Sequence, residues 1–263
     1  MHMGGRRADD PWDVASEGWV DFVRTGKDYY RDSLNNPATF KLIGSVKGKN
    51  VLDLACGEGY NTRILARKGA KVIGVDRSKR LIDLAEAEER RERLGIRYCR
   101  IDANRLKGIS EGFFDLVTCF MALQDIEDYE GAVAEVARVL KQGGRFVFSI
   151  PHPCFEKMMV NGIRVNAAEK YFEKIEYPIE WNMERLTKHF KTVSFHRTLT
   201  DYSFALARSG LFISRLVEPR PTREAVRKHP ALRDELIRPQ SIIFESIKSD
   251  TKTQFQEETL NQA

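Results

Sequence analysis

The sequence lacks several features that would assign it to a familiar class at once. It has four cysteines in 263 residues and no C-x-x-C pair, so neither a zinc site nor a disulfide framework is indicated. No apolar run approaches the roughly 20 residues that a membrane-spanning helix needs. No signal-peptide segment follows the polar start of the chain. These absences predict a soluble, cytoplasmic protein without a membrane partner.

Charge of one sign is not concentrated in any segment. Lys and Arg number 43 against 38 Asp and Glu, which leaves a net charge of +5. The two signs alternate closely, as in residues 77–93, whereas a nucleic-acid-binding protein usually has a segregated basic surface. The charge pattern therefore disfavours a nucleic-acid partner, and the hydrophobic content of 42% excludes a disordered chain.

Short β-branched runs alternate with stretches of helical periodicity in the first part of the chain. Strands are predicted over 51–55, 71–76, 96–101, 114–120 and 145–150, with helices over 62–68, 81–94 and 129–140 between them. Two late strands, over 212–217 and 241–247, follow a helix over 201–209. This alternation predicts an α/β fold with a doubly wound, mostly parallel sheet.

The alternation is interrupted after residue 150, which divides the chain into segments. We expect N-terminal helices over 1–45, a cofactor-binding core over 46–150, an insertion over 151–196, a completion of the core over 197–248 and a flexible tail over 249–263. The insertion follows the fifth strand at the carboxyl edge of the sheet, where open α/β sheets bind ligands. It is therefore interpreted as a lid that shapes a substrate pocket, with two short strands near 171–181 and 192–196.

The sharpest motif is the segment VLDLACGEGYNT, in which a strand enters a Gly-x-Gly turn that opens a helix. Gly57 and Gly59 let a ligand approach the main chain. The third glycine of a dinucleotide motif is replaced by Thr62, and the Lys-Ser/Thr of a phosphate-binding loop is absent. Asp53, two residues before the turn region, would repel pyrophosphate but suits a cation such as an α-amino group.

Two further acids follow the next two strands. Asp76 ends the second strand, where it can accept hydrogen bonds from both hydroxyls of a ribose. Asp102 follows the third strand, where a carboxylate could accept a hydrogen bond from the exocyclic amine of adenine. Together the three acids indicate a nucleoside joined to an amino acid, without phosphates.

In order and spacing these motifs resemble those of class I S-adenosylmethionine-dependent methyltransferases of the small-molecule, type 11 group. The matching segments are 53–59, residue 76, 102–103, 114–120 and 139–144, with Ala55 and Gln142 in place of the commoner Gly and Pro. The resemblance implies a Rossmann-like fold, with a seven-stranded sheet whose last strand is antiparallel. It also implies S-adenosylmethionine as cofactor and S-adenosylhomocysteine as product.

The resemblance also implies residue roles. Asp53 would hold the amino group, Asp76 the ribose and Asp102 the adenine of the cofactor. An N-terminal tyrosine, Tyr29 or Tyr30, would cover it. The predicted cofactor-binding residues are Asp53, Ala55, Gly57, Gly59, Asp76, Arg77, Asp102, Ala103, Phe120, Met121 and Tyr30.

The acceptor side of the site is less defined. His152 and His196 flank the insertion, and each is either a catalytic base or a residue that orders a loop. The predicted substrate-binding residues are Trp19, Tyr29, Gln124 and Trp181, whose aromatic members are either a substrate cage or core residues. The acidic run over 124–128 is better explained as the start of a helix than as a metal or acid–base cluster, and no metal site is expected.

The sequence favours transfer of a methyl group to O, N or C of a small molecule. Three alternatives remain at this point: an RNA methyltransferase, a non-catalytic S-adenosylmethionine-binding or scaffold protein, and a nicotinamide-dependent oxidoreductase. No Asn-Pro-Pro-Tyr motif follows the fourth strand, which disfavours the first. The oligomeric state is open.

Overall fold

A computed structural model of the chain describes residues 10–160, 162–181 and 189–249. The strands are β1 Asn50–Leu54, β2 Lys71–Asp76, β3 Arg97–Arg100, β4 Phe114–Phe120, β5 Leu140–Pro151, β6 Lys157–Val160, β7 Ile163–Asn166, β8 Ile175–Trp181, β9 Phe190–His196, β10 Leu211–Val217 and β11 Ser241–Lys248. The α-helices are α1 Pro11–Arg24, α2 Asn36–Ile43, α3 Tyr60–Arg67, α4 Lys79–Glu92, α5 Tyr129–Val139, α6 Leu199–Arg208 and α7 Arg223–Lys228. In the described ranges, none of these helices is both long and apolar enough to cross a membrane. The predicted tail lies, except for residue 249, outside these ranges.

Seven strands form one sheet in the order β10-β11-β5-β4-β1-β2-β3. β1 pairs in parallel with both β2 and β4, and β4 pairs in parallel with β5. β11 is antiparallel to both of its neighbours, β5 and β10. The predicted α/β fold, with a doubly wound sheet and an antiparallel last strand, is confirmed.

Helices cover both faces of this sheet because its central strands are apolar on both sides. Leu52 faces a core that α5 and α6 complete, and neighbouring Val51 faces a second core that α2 and α3 complete. Phe148 stacks on Phe244 of β11 at 4.8 Å in the first of these cores. Burying each such ring contributes roughly 1.5–3 kcal/mol, so the sheet is a rigid base for the loops at its carboxyl edge.

The N-terminal segment forms α1 and α2, joined by a π-helical turn over Arg31–Asn35. Asp10 caps α1 by accepting the amide of Trp12 at 2.9 Å, and Pro11 opens the helix. The apolar face of α1 packs against β9 of the insertion through Phe22 and Phe190. α1 therefore lies over the sheet edge at which β1 and β2 end.

The insertion is more regular than its sequence suggests, because it contains two antiparallel hairpins. β8 and β9 pair from Ile175↔His196 to Trp181↔Phe190, in the region where two strands were predicted. β6 and β7 form a second hairpin that the sequence did not indicate. Their four-residue strands, KMMV and IRVN, are too short to show a clear alternation of apolar and polar side chains.

Candidate active site

A cavity of about 400 Å³ opens at the carboxyl edge of the sheet, below α1 and the β8–β9 hairpin. Most of the residues predicted from the motifs line it. The predicted cofactor-binding residues that line it are Tyr30, Asp53, Ala55, Gly57, Asp76, Arg77, Asp102, Ala103, Phe120 and Met121. The predicted substrate-binding residues that line it are Trp19, Gln124 and Trp181. Gly59, Tyr29, His152 and His196 do not line it.

Asp53 lies in the floor of this cavity and is 1% exposed. Its Oδ2 accepts the hydroxyl of Thr62 at 2.6 Å, and its Oδ1 accepts that of Thr118 at 2.8 Å. Burial raises the pKa of Asp53 to about 6, against the lowering effect of the two hydroxyls. A carboxylate that is this short of compensating charge favours a cation in the cavity.

Asp76 ends β2 at the opposite side of the Gly-x-Gly turn. Its Oδ2 accepts the amide of Gly57 at 2.9 Å, and its Oδ1 accepts the amide of Ser78 at 2.9 Å. Burial raises the pKa of Asp76 to about 6, although the two amides lower it. These bonds fix both carboxylate oxygens at the cavity wall, with lone pairs left for a ligand's hydroxyls.

Two cavity residues adopt left-handed backbone angles without being glycine. Ala55 follows β1 with φ +52°, and Met121 follows β4 with φ +48°. Such angles cost a non-glycine residue roughly 1–2 kcal/mol, and strain of this kind is typical of ligand sites. The angle at Ala55 explains why related motifs have glycine there.

Replacing Ala55 with glycine should therefore stabilise the protein. We expect Ala55→Gly to raise the free energy of unfolding by up to about 1 kcal/mol, because relief of the left-handed strain exceeds the extra entropy of the unfolded glycine. Urea unfolding of the two proteins measures this. An unchanged or lower value for Ala55→Gly would show that Ala55 is not strained.

Gly59 has a packing role in addition to its predicted contact with the cofactor, which stays a prediction. It lies at the start of α3 with φ +80°, and a Cβ there would lie only 2.2 Å from the hydroxyl oxygen of Tyr98. Tyr98 extends from β3 across Gly74, where a Cβ would also be too close to its ring, at 2.8 Å. Gly59 thus allows α3 to approach the sheet, on the side of the turn away from the cavity.

Gly59→Ala should lower the free energy of unfolding by about 3 kcal/mol, through the clash with Tyr98 and the left-handed angle. Urea unfolding gives the value. The nearest atom is the tyrosine hydroxyl, so adding Tyr98→Phe should restore part of the loss. Independent, additive effects of the two substitutions would contradict this contact.

α1 forms the roof of the cavity and is held by polar contacts at both ends. At its start, Asp13 accepts the hydroxyl of Ser78 at 2.5 Å and the amide of Arg80 at 2.9 Å. At its end, Arg24 pairs with Glu58 of the Gly-x-Gly turn at 3.0 Å. The roof is therefore attached directly to the loops that follow β1 and β2.

The turn between α1 and α2 adds a cation to the cavity wall. Arg31 donates to Asp32 and to the carbonyl of Val23, and its guanidinium stacks 3.7 Å above the ring of Tyr60. Its Nη1 is buried without a hydrogen-bond partner among the described residues. This nitrogen is suited to a ligand's carboxylate. Tyr29, in contrast, stacks on His229 at 5.0 Å, outside the cavity.

Both histidines have structural partners away from the cavity. His152 is buried, its Nε2 lies 3.0 Å from Glu218 and its Nδ1 accepts the amide of Cys154. The Nε2 of His196 lies 3.0 Å from the carbonyl oxygen of Tyr171. These contacts fit the loop-ordering interpretation, and no imidazole reaches the cavity from the part of the chain that the structure describes.

The turn after β4 contributes a carboxylate that the sequence analysis assigned to a helix start. Asp128 does cap α5, accepting the amide of Gly131 at 3.0 Å. Asp125, three residues earlier, instead lines the cavity beside Gln124. Arg197 holds this turn by donating to the carbonyls of Leu123, Ile126 and Glu127.

Several other cavity residues were not predicted, because they come from segments without a sequence motif. They are Asp28, Arg31, Asn35, Asn36, Tyr60, Asn61, Asp125 and Gln240, together with the apolar Trp12, Phe22 and Ile179. The only signal in the sequence was the polar pair Asn35 and Asn36 at the start of α2, which no motif connects with a ligand. Among the described residues, no group of three or more His, Cys, Asp or Glu could hold a metal ion.

Comparisons with known proteins agree with this geometry. Residues 52–148 match the family model described as "Methyltransferase domain". A ubiquinone biosynthesis O-methyltransferase from Coxiella burnetii is 37% identical over 119 residues, which are 44% of this chain and 50% of that protein. The chain thus spans about half the length of the curated relatives it matches.

Solved structures extend the similarity over most of the chain. An S-adenosylmethionine-dependent methyltransferase from Mesorhizobium loti is 29% identical, with a TM-score of 0.65 over 80% of this chain and 96% of that one. A structure from Listeria monocytogenes is 25% identical, with a TM-score of 0.66 over 82% and 97% of the two chains. Residues 52–148 thus match a methyltransferase domain, and the fold of the chain resembles that of S-adenosylmethionine-dependent methyltransferases.

Proposed function

We propose that the chain is an S-adenosylmethionine-dependent methyltransferase that acts on a small molecule held under α1. The observation that carries this proposal is the convergence of Asp53, Asp76 and the Gly57 turn on one cavity. Two carboxylates with raised pKa values flank this turn, Asp53 buried and Asp76 half-buried, so the turn is not suited to phosphate groups. This arrangement disfavours a nicotinamide-dependent oxidoreductase.

The charges of the cavity fit each part of the proposed cofactor. Asp53 would face its ammonium group, and the unpartnered Nη1 of Arg31 would pair with its carboxylate. Asp76 would accept the ribose hydroxyls, and Asp102 and Ala103 would border the adenine. Gly57 leaves room for the ligand, because even a Cβ there would meet only the indole Nε1 of Trp19, at 4.0 Å.

The chain's contribution to the chemistry is positioning and exclusion of water. When bound, the cofactor supplies an electrophilic methyl group on a sulfonium. Holding an acceptor in line with that group can contribute up to roughly 7–11 kcal/mol in model systems. Trp19 of α1 and Trp181 of β8 pack edge to face at 5.4 Å above the site and shield it from solvent.

The size of the covered cavity favours one kind of methyl acceptor. A cavity of about 400 Å³ below α1 and the β8–β9 hairpin suits a small molecule better than a nucleotide within folded RNA. The curated relatives are O-methyltransferases by name, which supports a hydroxyl oxygen over nitrogen or carbon as the acceptor atom.

The proposal is tested by calorimetric titration of the purified protein with S-adenosylmethionine, S-adenosylhomocysteine and NADH. We expect one site per chain with micromolar affinity for the first two ligands and no binding of NADH. Binding of NADH alone would favour the oxidoreductase, and binding of none of the three would contradict the proposed function.

A further inference from the structure

Three oxygen atoms at the cavity wall are buried without a hydrogen-bond partner among the described residues. They are Oε1 of Gln124, Oδ1 of Asp125 and Oε1 of Gln240, and all three residues line the cavity. The side-chain nitrogen of Gln124 donates to the carbonyl of Met121 at 2.7 Å, so Oε1 of Gln124 is the amide atom without a partner. Buried acceptors without donors are costly, so the cavity is suited to a ligand that presents O–H or N–H groups.

Asp125 is the ionisable member of this group, and its surroundings leave it short of positive charge. Burial is the largest effect and raises the pKa of Asp125 to about 7. Glu156 raises the pKa further, whereas Ser194, Gln124 and Arg77 oppose the shift. The other titratable groups near it are Cys119, Tyr177 and Tyr202. A carboxylate in this state can accept a proton near neutral pH.

The position of Asp125 in the fold places it beside the proposed cofactor site. The turn over Leu123–Asp125 follows β4, which lies between β1 and β5 in the sheet. Phe120 and Met121, at the end of β4, line the same cavity as Asp53 and Asp125. Arg197 fixes the backbone on both sides of Asp125 by donating to three carbonyls of this turn.

We propose that Asp125 is the proton acceptor for methyl transfer to a phenolic hydroxyl, which Gln124 helps to orient. The inference rests on the proposed function, because it assigns a role within the same cavity. The O–H bond of the phenol breaks as its proton passes to Oδ1 of Asp125, and the electron pair remains on oxygen. That oxygen forms the new bond to the methyl carbon while the carbon–sulfur bond breaks and leaves its electron pair on sulfur.

A phenol fits the wall better than an amine does. A neutral amine can attack through its own lone pair before it loses a proton, so its methylation does not require Asp125 as a base. The aromatic side chains of Trp19, Trp181 and Phe120 offer flat surfaces for an aromatic ring.

The test compares Asp125→Asn with wild-type protein and with Glu127→Gln, an isosteric change of an exposed acid in the same segment. The probes are catechol, whose hydroxyls are protonated at neutral pH, and 4-nitrocatechol, which is largely ionised there. Methyl transfer to each is measured between pH 5.5 and 8.5, alongside calorimetric binding of S-adenosylhomocysteine and thermal unfolding.

We expect Asp125→Asn to bind S-adenosylhomocysteine as wild type does. Its kcat with catechol should fall on the order of 100-fold or more, but with 4-nitrocatechol only a few-fold, because that probe needs no base. The wild-type rate with catechol should rise with pH to a plateau above about 7, and this rise should be lost in Asp125→Asn. Glu127→Gln should match wild type throughout.

Four results would overturn the inference. Equal losses with both catechols would make Asp125 a structural residue, and an unchanged catechol rate in Asp125→Asn would remove its role altogether. Binding of S-adenosylhomocysteine without methyl transfer from S-adenosylmethionine to either catechol would rule out the phenol class while leaving the proposed function intact. Failure of wild-type protein to bind S-adenosylhomocysteine would contradict the proposed function, and this inference with it.

Discussion

The Asp76→Ala variant is expected to bind S-adenosylhomocysteine roughly 100-fold more weakly than wild-type protein, a loss of about 3 kcal/mol. Hydrogen bonds to a charged group contribute roughly 1.5–3 kcal/mol each, and Asp76 is expected to accept two of them from the ribose. The amides of Gly57 and Ser78 already fix both of its oxygens. No reorganisation is therefore needed for binding, and calorimetric titration of both proteins measures the difference.

The matched control for this prediction is Asp83→Ala. Asp83 lies on α4, is 46% exposed and pairs with Lys79. We expect its loss to leave affinity within a factor of about two, because exposed pairs contribute little. Thermal unfolding of both variants separates lost binding from lost folding. An Asp76→Ala protein that folds and binds S-adenosylhomocysteine with wild-type affinity would contradict the proposed contact between Asp76 and the ribose.

The stability of the ligand-free protein should fall as the pH rises from 5 to 8. Burial raises the pKa values of Asp53 and Asp76 to about 6 and that of Asp125 to about 7, against an ordinary value near 4. At pH values between the ordinary carboxyl pKa and these raised values, the folded state binds more protons than the unfolded state. The free energy of unfolding must then decrease with rising pH, by an amount on the order of 3 kcal/mol in total, and level off above pH 8.

Other titrating groups do not reverse this expectation. Hydrogen bonds and nearby acids raise the pKa of His196 in spite of its burial, which also makes stability decrease as the pH rises. Arg215, Ser214 and Arg145 lower the pKa of Glu245 to about 2, so Glu245 affects stability only in more acidic solution. Urea unfolding at pH 5, 6, 7 and 8 measures the profile.

Asp125→Asn provides the internal control for this profile. The amide carries no charge to bury, so the variant should lose less stability across the range and should exceed wild type in stability at pH 8. Stability that rises between pH 5 and 8 in wild-type protein would contradict the raised pKa values. A site acid whose removal stabilises the fold is typical of a residue kept for function.

The sequence predicted the core of this molecule well because its signals there are local. Strands β1, β2 and β4 are short, mostly apolar runs, and Asp53, Gly57 and Asp76 lie at or just after the ends of β1 and β2. Parallel strands bring those ends to one edge, so strand order was enough to place the three residues in one cavity. The packing of Gly59 against Tyr98 was not predicted, because the two residues are 39 positions apart in sequence and the motif contains only one of them.

The roof and the acceptor side were less predictable because tertiary contacts determine them. Trp19 and Trp181 were expected near the substrate, but their 5.4 Å contact depends on how α1 meets the β8–β9 hairpin. Asp125 and Asp128 look alike in sequence, yet one lines the cavity and the other caps α5. Arg197 fixes the turn that contains Asp125 by donating to three backbone carbonyls. A pattern of side chains in the sequence does not reveal such contacts.

The most direct test of the central claim is a crystal structure of the protein with S-adenosylhomocysteine. We expect the ligand in the cavity below α1, with its ribose hydroxyls on Asp76 and its carboxylate at Nη1 of Arg31. Its sulfur should face the wall formed by Gln124 and Asp125. A ligand bound elsewhere, or one that leaves Asp76 and Arg31 without contact, would contradict the claim that this cavity is the methyltransferase site.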